Sequence, residues 1–496
     1  MGTKARLYNK SLAANSDSIF EMAALKITAL KITSLLKRTL IGLIAFLAIT
    51  AAGWYSMVWY QSRIVGERPV YLQLPAPNAM TLRWGTEQPA ADTVFYGQAT
   101  GKLDMQVSES QATVNHRVSL KGLEPNTRYY YRIKHQGQWR QAQAEWFVTS
   151  PQKTEPQKID QETDQETGQA GTEYTARFWI LGDPGKWIAK SQARDAGLAW
   201  LQENAEGRRA YADALLTTGD NAYASATNEE YLREFFLPYE KVLKNIPLWP
   251  VYGNHDARRW AFYKLFERPL HAESGGLASD SRQYFSFDYA QAHFIILDNH
   301  HYDLSPDTAM TDWLKQDIKQ AKQKWVIVLF HHPPYTGGTY DSDNKKHSRG
   351  RMTRTRENLL PILENLGVDL VINGHSHVYE RSHLLHCHYG LSDSFNQNMV
   401  LDAGVEKQDG RQYKKAGSFA AGITGTMYMV LGSSGEGNKR GIDHPALPFT
   451  SAKAGSIVLD INATTLTSRY ITADQTVEDR FRIIKSATGK PVANCN

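Results

Sequence analysis

Thr217-Thr218-Gly219-Asp220-Asn221-Ala222-Tyr223 decides how the chain is read. It follows a largely apolar run, 212–216, with the composition of a buried strand. Gly219 lets the backbone turn, which sets Asp220 at the strand's C-terminal end. In open α/β sheets that edge is where ligands bind. A Gly-Asp pair after one strand reads as an ordinary turn. Its meaning changes here because four other strand ends along the chain also finish in metal-ligand chemistry.

Working outward, Phe178-Trp179-Ile180-Leu181 ends in Gly182-Asp183-Pro184-Gly185. An apolar stretch at 248–252 ends in Gly253-Asn254-His255-Asp256, the run at 325–330 ends in His331, and Leu370-Val371-Ile372 leads to Gly374-His375-Ser376-His377. Further strands read at 293–297 and 427–431, and 456–484 closes the chain as hairpin-like strands. Helical spacing at 190–204, with Ala196, Leu198, Trp200 and Leu201 apolar, predicts one helix. Others are expected at 229–243, 308–322 and 356–366. Strands alternating with helices make 174–486 an α/β domain.

The residue types at the five strand ends fit a dinuclear metal site. Asp183 and Asp220 offer hard carboxylate oxygens, Asn254 a neutral carbonyl oxygen, and His331, His375 and His377 imidazoles, the usual donors for zinc and iron. Two cations roughly 3.5–4 Å apart clamp the attacking and leaving oxygens of a phosphoryl displacement, and Asp220 is read as the carboxylate that bridges them. There are two cysteines, Cys387 and Cys495, too few to define a disulfide framework or a zinc-type cysteine site. A single bridge between them stays open.

The N-terminal third has a different character. Residues 1–38 carry seven basic residues against Asp17 and Glu21, which accounts for the whole formal charge of +5. The rest of the chain is balanced, which argues against a nucleic-acid surface. Residues 39–60 contain no charge and, as a helix, would span about 33 Å, enough for a bilayer core. Trp54, Tyr55, Trp59 and Tyr60 cluster at one end like an interfacial belt, and the preceding Lys31, Lys37 and Arg38 predict a cytoplasmic N-terminus. The expectation is a single-pass membrane anchor with an extracytoplasmic catalytic domain. The alternative is a secreted protein after cleavage near Thr50-Ala51-Ala52, and Met22 is a second possible start. Residues 68–150 read as all-β, with Trp84 as a buried strand tryptophan and Leu123-Glu124-Pro125-Asn126-Thr127-Arg128-Tyr129 resembling the tyrosine-corner segment of a fibronectin type III sandwich. Residues 151–173, rich in Gln, Glu and Thr, read as a polar linker.

Taken together, the five segments resemble the calcineurin-like metallophosphoesterases, and Tyr223 narrows the resemblance to the purple acid phosphatases. That family commonly places a fibronectin-like domain before the catalytic one. The resemblance covers about 68–485 and implies an α+β or α/β catalytic fold of two packed mixed β-sheets flanked by helices. It also implies Fe3+ held by Asp183, Asp220, Tyr223 and His377, and a divalent ion (Zn2+, Fe2+ or Mn2+) held by Asp220, Asn254, His331 and His375. A metal-bound hydroxide would attack a phosphate monoester, with His255 beside the leaving group. The resemblance makes Asp256 catalytic together with His255, which it would orient, at a position where many members have Glu. His300, His301, His347 and Arg381 are weaker candidates for substrate contact and are not assigned. The rival readings are a phosphodiesterase or nucleotidase on the same metal core, and a non-catalytic, membrane-tethered adhesion protein. Physiological substrate and oligomeric state are not encoded in any motif.

Overall fold

Strands that are apolar at every position must be covered on both faces, because successive side chains point to opposite sides. The computed structural model describes residues 26, 36–57, 59–60, 66–152, 174–186, 192–416, 424–438, 441, 443–486 and 495. It meets that requirement with two mixed sheets packed face to face. One runs in the order Leu248–Trp249, Ala214–Thr217, Ala176–Leu181, Gly455–Ile461, Thr465–Thr472, Val477–Ser486 and Arg411–Ala416. The other runs Phe285–Tyr289, Ala292–Ile296, Trp325–Leu329, Leu370–Asn373, Thr426–Leu431, Tyr379–Leu385 and Val400–Asp402, with Phe449–Ser451 added on Tyr379–Leu385.

Alternate residues divide between the faces. Phe178, Ile180 and Leu216 face Phe294, Ile327, Leu329 and Ile372 in the core between the sheets. Trp179, Leu181 and Leu215 turn outward and pack with Leu201, Phe235 and Tyr239. On the far side Val326, Val328 and Val371 pack with Trp313, Leu314, Leu360 and Leu363. Fully burying one such side chain contributes about 1.5–3 kcal/mol, so this three-layered core dominates the domain's stability.

The register fixes where the motifs emerge. Ala176–Leu181 and Ala214–Thr217 are parallel with Leu181 opposite Thr217, so Asp183 and Asp220 leave the same edge. Trp325–Leu329 and Leu370–Asn373 are parallel with Leu329 opposite Ile372, which does the same for His331 and His375.

Several element bounds differ from the sequence expectation, and prolines account for two of them. The strand expected at 248–252 is only Leu248–Trp249, because Pro250 has no N–H for the ladder. The single helix expected at 229–243 is split into Asn228–Tyr231, a wider turn Leu232–Phe236 and Glu240–Leu243, with Pro238 in the gap. The helical run around 356–366 begins earlier, at Arg351.

Residues 68–150 hold two antiparallel sheets around Leu72, Leu82, Trp84, Val118 and Tyr131. Trp84 is fully buried, stacks on His116 at 4.8 Å and donates its indole N–H to Asp92 at 2.9 Å. The Tyr129 hydroxyl accepts from the Glu124 amide at 3.0 Å, the tyrosine-corner bond. This sandwich braces the segment that carries Asn254 and His255: Tyr71 donates to the Leu265 carbonyl at 2.6 Å, Tyr131 to the Lys244 carbonyl at 2.7 Å, and Arg83 pairs with Glu267.

Cys387 and Cys495 form a disulfide with a Cα–Cα distance of 5.3 Å and a sequence separation of 108. The apolar N-terminal segment is a separate unit, in which Leu36–Met57 is one helix long and apolar enough to cross a membrane. A signal sequence meets the same criteria. The polar linker read at 151–173 lies outside the described residues except for 151 and 152, and the basic tail read at 1–38 does so except for 26 and 36–38.

Candidate active site

Three of the expected ligands sit in the left-handed backbone region, Asp183 at φ 50°, Asp220 at φ 52° and His375 at φ 70°. Residues with a Cβ adopt this conformation at a cost of about 1–2 kcal/mol, and such outliers cluster at functional sites. The glycines beside them are there for space. A Cβ on Gly253 would overlap the Asp220 carboxylate, and one on Gly374 would lie 2.5 Å from Asp183 Oδ2.

Asp220 lies at the centre. Its Oδ2 is 3.1 Å from the Tyr223 hydroxyl and 3.3 Å from His331 Nε2, and its Oδ1 accepts the His255 amide at 2.7 Å. On one side, Tyr223 also reaches Asp183 Oδ1 at 3.1 Å and His377 Nε2 at 3.4 Å, and His377 Nε2 is 3.6 Å from Asp183 Oδ1. On the other side, His331 Nε2 is 3.0 Å from Asn254 Oδ1, and Asp220, His331 and His375 present ligand atoms within 4.8 Å of one another. All seven expected ligands are thus brought together, in two groups that share Asp220.

The donor set fits cations. His331 gives its Nδ1–H to the Thr218 carbonyl at 2.9 Å. In the neutral ring this leaves the Nε2 lone pair facing Asn254 Oδ1 and Asp220 Oδ2, three acceptors converging on one point. Burial alone would push the His331 imidazole down, yet Asp220 and Asp183 raise it to about 9. Burial would likewise raise Asp220, but His331 and His255 hold its carboxyl well below the usual range. Burial and the neighbouring Asp183 and Asp220 push the Tyr223 phenol far up, so only a strongly charged cation would take its proton. His375, by contrast, is held far below the usual histidine range by burial and by His331, and stays neutral as a ligand must.

His255 is half-buried, with 21 % of its side chain accessible. Its Nδ1–H donates to the Ala224 carbonyl at 2.7 Å, and its ring lies 4.1 Å from that of Tyr223. Nε2 is left 3.9 Å from Asp220 Oδ2, on the side of the ligand cluster.

Asp256 does not orient His255, contrary to the expectation from its place in the motif. Its buried carboxylate accepts the amides of Asn221 at 3.2 Å and Gly253 at 2.9 Å, the Asn221 side chain at 3.0 Å and the Tyr231 hydroxyl at 2.5 Å. It ties the Asp220 turn to the Asn254 turn. Burial and the charge of Asp220 raise it to about 7, against the pull of those donors.

A cavity of about 360 Å³ opens beside Asn254 and His375. Arg258, Arg349 and Arg351 line it, with His300, His301 and Tyr340. None of the three arginines was singled out in the sequence, nor was Tyr340, which stacks on His375 at 4.3 Å, or Ser348, whose hydroxyl is 2.5 Å from His375 Nε2. Ser348 and Arg349 both have positive φ, 49° and 56°. Beside the other ligand group, Lys186 Nζ is 3.2 Å from His377 Nδ1 and 2.9 Å from Glu436. Of the unassigned candidates, His300 and His301 line the cavity. His347 accepts the Asp341 amide at 3.0 Å. Arg381 is buried elsewhere, paired with Asp479 at 2.7 Å and held 3.8 Å from the Phe449 ring centre.

Comparison with known proteins follows the same division of the chain. Residues 176–379 match the calcineurin-like phosphoesterase model, and residues 68–150 match that of the purple acid phosphatase N-terminal domain. Purple acid phosphatase 15 of Arabidopsis thaliana is 25 % identical over 356 residues, 66 % of this chain and 55 % of the relative. Acid phosphatase type 7 of Mus musculus is 26 % identical over 337 residues, 62 % of this chain and 68 % of the relative. The match therefore spans from just over half to about two thirds of these relatives' length. Among solved structures, a purple acid phosphatase from yellow lupin (Lupinus luteus) seeds has a TM-score of 0.62 at 19 % identity, covering 85 % of this chain and 75 % of that one. PhoD has a TM-score of 0.56 at 14 % identity, covering 85 % and 90 %. These two likenesses establish the fold.

Proposed function

We propose metal-dependent hydrolysis of phosphate monoesters for this chain, whose residues 176–379 match the calcineurin-like phosphoesterase model and whose residues 68–150 match that of the purple acid phosphatase N-terminal domain. The observation that carries this is Asp220, whose Oδ2 is 3.1 Å from Tyr223 on one side and 3.3 Å from His331 on the other. Asp183, Tyr223 and His377 would hold one ion, and Asn254, His331 and His375 a second, with Asp220 common to both. Such a pair, when bound, supplies an activated water and positive charge at the attacking and leaving oxygens.

The chain's own groups do the rest. Arg258, Arg349 and Arg351 line the cavity beside Asn254 and hold the phosphate's outer oxygens, which fixes the ester for in-line attack. The bond from His255 Nδ1–H to Ala224 fixes that ring's tautomer and turns Nε2 to the ligand cluster. As an imidazolium it gives its Nε2 proton to the departing oxygen. Asp256, by clamping the Asn221 and Gly253 amides, holds the two turns at a constant separation.

Tyr223 supplies the test that separates this reading from a phosphodiesterase on the same core. A phenolate that ligates Fe3+ absorbs visible light, so the loaded protein should be coloured. Tyr223→Phe keeps the ring against His255 and removes only the oxygen. It should bleach the colour or shift it sharply, with a stability loss of about 1 kcal/mol for the lost hydrogen bonds. Colourless wild type with two divalent ions by elemental analysis would remove iron from the proposal. A panel of monoesters and diesters decides the reaction class.

We further place the catalytic domain outside the cytoplasm, anchored by the helix Leu36–Met57. The Cys387–Cys495 bridge supports this, since disulfides persist in oxidising compartments. Full-length protein should stay with the membrane through a high-salt wash. Release by salt, or a shortened N-terminus on the secreted protein, would overturn the anchor.

A further inference from the structure

A second pocket, of about 550 Å³, opens next to the arginine-lined cavity and shares Ala257 and His301 with it. Tyr252, Trp260 and Tyr263 form its aromatic wall, and Arg259, Lys264 and Arg282 supply its charge. No carboxylate is among its lining residues. Trp260 is 63 % exposed, more than any other large apolar side chain described beyond residue 60.

The two pockets are joined by a run of rings. Tyr252 lies 5.4 Å from His301, His301 is 4.6 Å from His300, His300 is 5.3 Å from His332, and His332 is 4.5 Å from His375. Two of the aromatic walls are held in place. Tyr252 packs on Phe262 at 4.9 Å and on Tyr263 at 5.1 Å, and the Arg268 guanidinium sits 4.7 Å over the Tyr263 ring. Trp260 lies on the segment that carries His255, and Ala257, between them, lines both pockets.

We propose that this pocket is the leaving-group subsite, and that it selects phosphate monoesters whose leaving group is an aromatic ring bearing a second anionic group. The inference rests on the monoesterase reading and adds the substrate class to it. A flat ring gains face contact with Trp260 and the fixed tyrosines. The pocket's volume lies in the range of small-molecule sites. Its three cations, with no acid among the lining residues, favour a second negative charge over a neutral ring. A small aliphatic leaving group would leave the Trp260 face hydrated and gain neither contact.

Two measurements on the full-length, metal-loaded protein test this. The first compares kcat/KM for 4-carboxyphenyl phosphate, phenyl phosphate and glycerol 2-phosphate. Wild type should prefer them in that order. Trp260→Ala should cut the preference for phenyl over glycerol phosphate roughly 3- to 10-fold, the size of one aromatic contact. Arg282→Gln should instead cut the preference for the carboxylated ring over the plain one. The second is calorimetric binding of 4-carboxyphenylphosphonate and methylphosphonate, which needs no turnover. Tighter binding of the aryl phosphonate, lost in Trp260→Ala, supports the subsite even where no ester is hydrolysed, and then only the catalytic reading falls. Hydrolysis with unchanged preferences in both variants, and equal binding of the two phosphonates, overturns the subsite.

Discussion

Asp220→Ala should leave the protein with less than one tightly held metal equivalent and should lower turnover roughly 10³-fold or more, since charge stabilisation by bound metal amounts to several kcal/mol. The expectation follows from the sharing of one carboxylate. Asp220 Oδ2 lies within 3.3 Å of both His331 Nε2 and the Tyr223 hydroxyl, so its removal takes a ligand and a negative charge from both positions at once. Partners that only orient ligands already cost 10–100-fold in affinity when mutated, roughly, and a direct bridging ligand should cost more. Asn254→Ala is the control, because it touches only the group with His331 and should release one equivalent. Elemental analysis after dialysis checks both. Retention of two equivalents by Asp220→Ala would end the bridging assignment.

Thermal unfolding provides a second readout of the same variant. Asp183, Asp220 and Asp256 are all buried, and a cation bound among such carboxylates favours the folded state that assembles them. A chelator should therefore lower the melting temperature of wild type by several degrees, since bound metal stabilises by mass action. Asp220→Ala, holding little metal to lose, should melt at nearly the same temperature with and without it. An equal chelator shift in both proteins would place the metal elsewhere.

How much of this site could be read from the chain follows from what positions each residue. Asp183, Asp220, His331 and His375 end strands that are buried on both faces, and such strands announce themselves as unbroken apolar runs. Gly182, Gly219 and Gly374, each just before a ligand, mark three of the turns. Tyr340, Ser348 and Arg349 have no such signal. They lie on a loop held by local bonds such as that of His347 to the Asp341 amide, and only the folded chain brings them against His375. The role of Asp256 was hidden for a related reason. Adjacent to His255 in sequence, it spends its carboxylate on Asn221 and Gly253 amides that the turn brings within reach. The Cys387–Cys495 pairing across 108 residues is likewise a fact of tertiary structure, which two cysteines in a long chain do not encode by spacing.

His255→Ala should keep both metals and lose turnover, roughly 10²–10⁴-fold for esters with poor leaving groups, the range for a general acid. The side chain meets the cluster without being built into it. Its amide, which the variant retains, is what holds Asp220 Oδ1 at 2.7 Å. The ring's Nδ1 is committed to the Ala224 carbonyl at 2.7 Å, so the nitrogen on the ligand side, Nε2, carries a transferable proton only in the imidazolium form. An alkoxide needs that proton to depart, whereas a nitrophenolate does not. The loss should therefore shrink toward tenfold or less for a nitrophenyl ester and reach its full size for glycerol phosphate. A loss of equal size for both would mean that the imidazolium acts by its charge on the phosphoryl oxygens. Loss of a metal equivalent from His255→Ala would make the ring a support for Asp220 and remove it from proton transfer altogether.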